Sequence, residues 1–287
     1  MDGETVLVEA VDAYRSALGD RLLAAYALGS LAHGGFSELV SDVDLGLIVG
    51  DPLRDGDAAT IEAVADGEKR KGTPLHERLS VFWGTPSTLA GGRVGGRFPP
   101  LDRLDLIESG RLLAGEDTVR PALPRPGKSE LVLTGAEFAL EHLAGISEPG
   151  DASADRLGSL AAAGEDAIEE LRSPELLAAR GVRHVTKQVL FPVRFMYTAA
   201  TGHVGTNGAA VEHYLAQPAA AGPRLVQAAL AWRGDPPDDQ PAVARLLGEQ
   251  LVPLYAEYID DHIPRLATLG RPDLAQAFAE WRRRLLA

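Results

Sequence analysis

Apolar positions in the first quarter of the chain alternate between helical and strand periods. Val6, Val8, Val11, Tyr14, Leu18, Leu22 and Leu23 recur at roughly helical spacing. A continuous apolar run, 24–28, then reads as a strand ending at Gly29-Ser30, and residues 31–40 as a short helix or loop. The run 42–49 reads as a second strand, stopped by Gly50-Asp51-Pro52. Residues 56–67 predict a helix closed by Gly67, and 75–83 a third strand bounded by Gly72-Thr73-Pro74 and Gly84-Thr85-Pro86. Glycine-rich residues 91–100 predict a loop, and 101–113 a short helix. Pro121, Pro124 and Pro126 then interrupt any regular element. Beyond them strand signals vanish, and helices are predicted near 129–146, 154–172, 182–200, 207–217, 222–233, 241–263 and 272–286. The expected class is α+β: an N-terminal α/β domain (1–120) with a small mixed sheet, a linker (121–128), and an all-helical bundle (129–287).

The chemistry concentrates where the first two strands meet. Asp42 and Asp44 flank Val43 at the entry of an apolar strand. Alternate strand residues share a face, so both carboxylates project to one region. Such a pair suits a hard divalent cation, and Mg²⁺ above all, since it keeps coordination sites for water and substrate phosphates. Gly29-Ser30 upstream offers backbone N–H groups and a hydroxyl to phosphate oxygens. Together these describe a metal-dependent nucleotide site, with Ser41 beside Asp42 as a further candidate nucleotide contact. A third acid on a neighbouring strand would serve as metal ligand or as base for an incoming hydroxyl. Glu77 is the candidate. The alternative is that Glu77 is a surface residue beside Arg78, with Ser80 in the acid's place. His76 is a weaker alternative base.

Gly-Ser, about ten residues, then Asp-x-Asp within an apolar strand resembles the signature of the nucleotidyltransferase superfamily of the DNA polymerase β type. Residues 187–215 resemble the C-terminal domain of the aminoglycoside adenylyltransferases acting on streptomycin and spectinomycin. The matching positions are Arg194, Phe195, Tyr197, Thr201-Gly202 and Ala209-Ala210, with a fainter match at 110–115. The resemblance implies an enzyme that moves AMP from ATP to a hydroxyl of a small acceptor with Mg²⁺, releasing pyrophosphate, and that confers antibiotic resistance. ATP and acceptor would lie in an interdomain cleft, with Arg194 bridging phosphate oxygens. The family's lysine after the Thr-Gly turn falls on Asn207 here. Lys187, earlier on the same helix as Arg194, is the candidate to compensate, although Pro192 is expected to kink that helix.

Charge narrows the branch. The chain of 287 residues carries a formal charge of −13 and a pI near 5.0. Proteins that grip nucleic acid neutralise phosphates with basic surface, so a polymerase-like or RNA-processing role is disfavoured. A negative field attracts a cationic acceptor, and Glu137, Glu141, Glu165, Asp166 and Glu169 are candidates to line its pocket. Cysteine is absent, excluding disulfides and thiolate chemistry. No signal peptide or membrane span is legible, so a cytoplasmic protein without membrane partners is the expectation; oligomeric state is left open. Two alternatives keep the fold: an enzyme that adenylylates a protein side chain, and a non-catalytic nucleotide-binding sensor.

Overall fold

The computed structural model describes residues 2–91, 95–146 and 164–287. The chain divides into two compact units, Met1–Pro126 and Gly127–Ala287. In the first, a four-stranded mixed sheet is built from β1 (Leu22–Leu28), β2 (Val43–Val49), β3 (Leu79–Gly84) and β4 (Arg111–Gly115), in the order β3-β2-β1-β4. β1 runs antiparallel to β2 and β4, and β2 parallel to β3. The parallel pair needs a crossover, which residues 50–78 supply through α3 (Asp57–Lys69) and the single turn α4 (Pro74–Glu77).

Burial on both faces explains why β1 and β2 read as unbroken apolar runs. Over one face lies α1 (Gly3–Leu18), capped by the Asp2 carboxylate, which accepts the Thr5 N–H at 2.8 Å. Its buried Val6, Leu7, Ala10, Val11 and Tyr14 join Val43, Leu45, Leu47, Val81 and Trp83 in the main core. The opposite face carries Ala24, Tyr26, Leu28 and Ile48, packed with Leu89 of α5 (Pro86–Leu89), the loop residue Phe98, and Leu106 of α6 (Pro100–Ser109). By the two-residue strand period, Asp44 belongs to this second face, with Gly46 and Ile48.

Three sequence expectations are corrected. The third strand starts at Leu79, and 74–77 form a helical turn. Thr73 caps that turn and Pro74 occupies its first position, a helix-start signal that outweighs the apolar alternation after it. The helix expected over 101–113 ends at Ser109, and Arg111–Gly115 is the edge strand β4. β4 escaped notice because it is largely exposed and too short to show a clean alternation. Gly115, at φ +80°, lies so close to β1 that a Cβ would fall 2.0 Å from the Leu23 carbonyl oxygen. Finally, α3 passes through Gly67 to Lys69.

Among its described residues the second unit contains helices and no strand. It comprises α7 (Lys128–His142), the helical stretch 164–172 (α8), α9 (Pro174–Ala179), α10 (Val182–Thr201), α11 (Asn207–Leu215), α12 (Pro223–Ala231), α13 (Gln240–Thr268) and α14 (Pro272–Leu286). Residues 154–163 of the expected helix 154–172 lie outside the described residues. α10 continues through Pro192. Proline cannot donate to the Gln188 carbonyl four residues back, and the buried Tyr255 hydroxyl approaches that carbonyl instead at 3.0 Å, sharing its proton with Gln188 Oε1 at 2.6 Å. The C-terminal carbonyls of α10 receive cations, as a helix dipole favours: Lys128 donates to Ala200 O at 2.7 Å and Arg265 to Ala199 O at 3.4 Å. Tyr255, Tyr258, Phe278 and Trp281 form the aromatic core between α13 and α14. No helix among the described residues is long and apolar enough to cross a membrane.

Candidate active site

The site grows from the end of β1. Leu28 pairs with Asp44 across the antiparallel ladder, which brings the Asp44 side chain beside the residue following Leu28. That residue is Gly29, the first of the short helix α2 (Gly29–His33). Gly29 adopts φ +57°, and a Cβ built there would lie 2.3 Å from Asp44 Oδ2. Only glycine leaves room for this carboxylate, and only glycine takes this backbone angle without strain. The Gly29 N–H donates to Asp105 Oδ2 at 2.5 Å. Asp42 lies two residues before Asp44, just outside β2 and half-buried like it.

The loop delivering Asp42 is fixed from both sides. Ser41 is buried, its N–H donates to Ser37 O at 2.8 Å, and its hydroxyl accepts the Ser37 N–H at 3.0 Å. Arg78 donates to the carbonyls of Glu38 and Leu39 at 2.9 and 3.1 Å, while its own carbonyl accepts the Val43 N–H at 3.1 Å. Ser41 thus bonds within its own loop, and Arg78, which sequence reasoning passed over, clamps that loop against the start of β3.

Glu77 does not stand on the sheet. It is exposed at the end of α4, and the residue in register with Asp44 on β3 is Ser80. His76, the weaker candidate base, is 1% exposed and packed away. Its Nδ1 meets Thr73 Oγ1 at 2.7 Å and its Nε2 meets Glu9 Oε2 at 3.2 Å. Among the described residues, Glu9, Glu68 and His76 are the acid–histidine group whose ligand atoms all lie within 4.8 Å of one another. The Lys71 ammonium bridges its two carboxylates at 2.6 and 2.7 Å. Hydrogen bonding to Lys71 holds Glu9 below the ordinary carboxylate range. This cluster belongs to α1, α3 and α4 and supplies its own cation.

Asp105 is the acid that the sequence reading missed. It is 7% exposed on α6, between the fully buried Leu104 and Leu106. An acid flanked by two core leucines is the signal that marks it, because buried carboxylates require partners.

In the second unit, Arg183, Lys187, Phe191 and Arg194 follow one another at helical spacing on the half-exposed side of α10. The Arg194 guanidinium lies 5.3 Å from the Phe191 ring centre, and its Nε donates to Gly205 O at 2.5 Å. Gly205 itself packs on the Arg194 backbone, where a Cβ would come within 2.6 Å of the carbonyl oxygen. Asn207 opens α11, capped by Thr206. Glu137, Glu141, Glu165, Asp166 and Glu169 are all exposed, and Glu137 pairs with Arg271 at 3.0 Å.

The arrangement, a strand–glycine turn holding one aspartate of an Asp-x-Asp pair in a small mixed sheet followed by a helical unit, defines a fold shared with an adenylyltransferase. A solved structure of this fold is spectinomycin adenyltransferase AAD(9) from Enterococcus faecialis, crystallised with ATP and spectinomycin. That chain is 13% identical; the match covers 87% of this chain and 99% of the other, with a TM-score of 0.51. No protein-family model matches the chain, and no curated protein matches it in sequence.

Proposed function

We propose that the protein is a Mg²⁺-dependent nucleotidyltransferase that moves AMP from ATP to a hydroxyl of a small cationic acceptor of the aminoglycoside type. The observation that carries the reading is the seating of Asp44 over Gly29, with Asp42 two residues earlier at the entry of β2. Two half-buried carboxylates with oxygen donors suit a hard cation, and the glycine is the cradle that lets one of them sit against the turn. Bound there, Mg²⁺ would neutralise triphosphate charge. Ser30 would meet phosphate oxygens through its N–H and hydroxyl, the Gly29 N–H being held by Asp105, with Ser41 shaping the loop.

In the reaction, the acceptor oxygen forms a bond to the α-phosphorus as the bond from that phosphorus to the bridging oxygen breaks. Pyrophosphate departs with the electron pair, and the hydroxyl proton passes to a carboxylate, for which Glu77 is proposed. The chain's own contribution is charge placement and orientation. Its net charge of −13 favours a cationic acceptor, and the fold it shares with a spectinomycin adenyltransferase supports the same class. The test is to incubate the protein with Mg²⁺, ATP and a panel of aminoglycosides and neutral polyols, and to weigh the products. An adenylylated aminoglycoside is the expected result; no adduct on any acceptor would sink the proposal.

A second reading rests on Ser80 standing in register with Asp44 and Asn207 standing where the adenylyltransferases place lysine. It makes the protein a nucleotide binder without transfer, and predicts tight Mg²⁺·ATP binding with no adduct.

A further inference from the structure

We infer that Asp105 is a positioning residue of this nucleotide site, fixing the Gly29 turn on which Asp44 depends; the inference rests on the nucleotidyltransferase reading. Three observations carry it. The Asp105 carboxylate accepts the Gly29 N–H at 2.5 Å, a charge-assisted bond of the strong kind. The position that a Gly29 Cβ would take lies 2.3 Å from Asp44 Oδ2, so the same glycine touches both acids. Ordinary backbone dimensions then keep the two carboxylate oxygens within about 7 Å of each other. Lastly, Asp105 is 7% exposed and anchored between Leu104 and Leu106, each 0% exposed, so α6 presents this oxygen from a rigid seat on the same sheet face as Asp44.

A buried acid that serves only packing could be any apolar residue of similar size. Here the carboxylate instead orients one peptide unit, the one whose rotation would push Gly29 into Asp44 or draw it away. Asp42 and Asp44 would hold the cation, and Asp105 would hold the backbone that sets where Asp44 points. This supporting acid therefore stands on a helix packed on the sheet face, and it acts through an amide.

The probe is Mn²⁺·ATP, with binding followed by equilibrium dialysis. D105A should raise its Kd at least tenfold, while D105N, which keeps an oxygen acceptor in the same place, should stay within about threefold of wild type. D44A is the control for the site itself. Wild-type binding lost in D44A but unchanged in D105A overturns the inference and leaves the nucleotide reading standing. A wild-type chain that binds no Mn²⁺·ATP overturns both. If D105A does not fold, the Gly29 amide proton in wild type and D105N decides by NMR. A downfield resonance that moves upfield in D105N supports the inference, and a resonance that does not move overturns it.

Discussion

Replacing Gly29 by alanine perturbs two quantities that the structure separates. The first is backbone strain: at φ +57° a side chain costs about 1–2 kcal/mol. The second is the collision with Asp44. Real Cβ atoms essentially never approach a heavy atom closer than 3.0 Å, so from 2.3 Å the carboxylate must retreat by about 0.7 Å. The atom met is the end of the Asp44 side chain, and turning that carboxyl off its rotamer costs about 0.5–1.5 kcal/mol more. Gly72 supplies the control, with φ +72° but a nearest neighbour at 3.9 Å, an ordinary contact. Both variants should lose the strain cost in urea unfolding, and G29A should lose the extra increment. The larger difference is functional: G72A should bind Mn²⁺·ATP as wild type does, and G29A at least tenfold more weakly, because the displaced group is the proposed metal ligand. G29A matching G72A in both stability and nucleotide binding would refute the reasoning.

In the helical unit, Y255F should cost about 1–3 kcal/mol by removing the donor shared by the Gln188 backbone and side-chain oxygens. In a P192A background the cost should shrink, because the alanine restores the missing N–H; a double-mutant cycle in urea with no coupling would contradict this. Asp261 offers a pH test. Burial alone would raise its pKa, but hydrogen bonds from His262 and Arg265 outweigh burial and bring it to about 2 from an ordinary 3.8. A depressed carboxylate stabilises the fold above its ordinary pKa, and that stability is lost as pH falls toward 2. Stability measured from pH 4 to pH 2 should fall more steeply in wild type than in D261N, and parallel slopes would count against the assignment.

The sequence showed most where local chemistry and fold agree. Gly29-Ser30 and Asp42-x-Asp44 were legible because a glycine turn and a strand period act over a few residues, and the apolar runs of β1 and β2 marked strands buried on both faces. The proline-rich stretch ends where the first compact unit does, at Pro126. What stayed hidden depends on tertiary register. Glu77 read as a strand residue because Leu75, Leu79 and Val81 are apolar, yet Thr73-Pro74 starts a helical turn and moves the strand two residues beyond it. Leu104 and Leu106 mark Asp105 as a buried acid, but its partner stayed hidden because the amide it faces is 76 residues away in sequence. Arg78 acts through carbonyls 39 and 40 residues upstream, which no spacing rule reports. Pro192 was expected to kink α10, and the bond that satisfies the carbonyl it strands comes from Tyr255 on another helix.

The most direct measurement follows the label of α-phosphate-labelled ATP with Mg²⁺ and an aminoglycoside panel, in wild type and in D42A and D44A. The account predicts label on the small acceptor in wild type and none in either variant. Label retained in the variants, or ATP bound by wild type but never transferred, would contradict it.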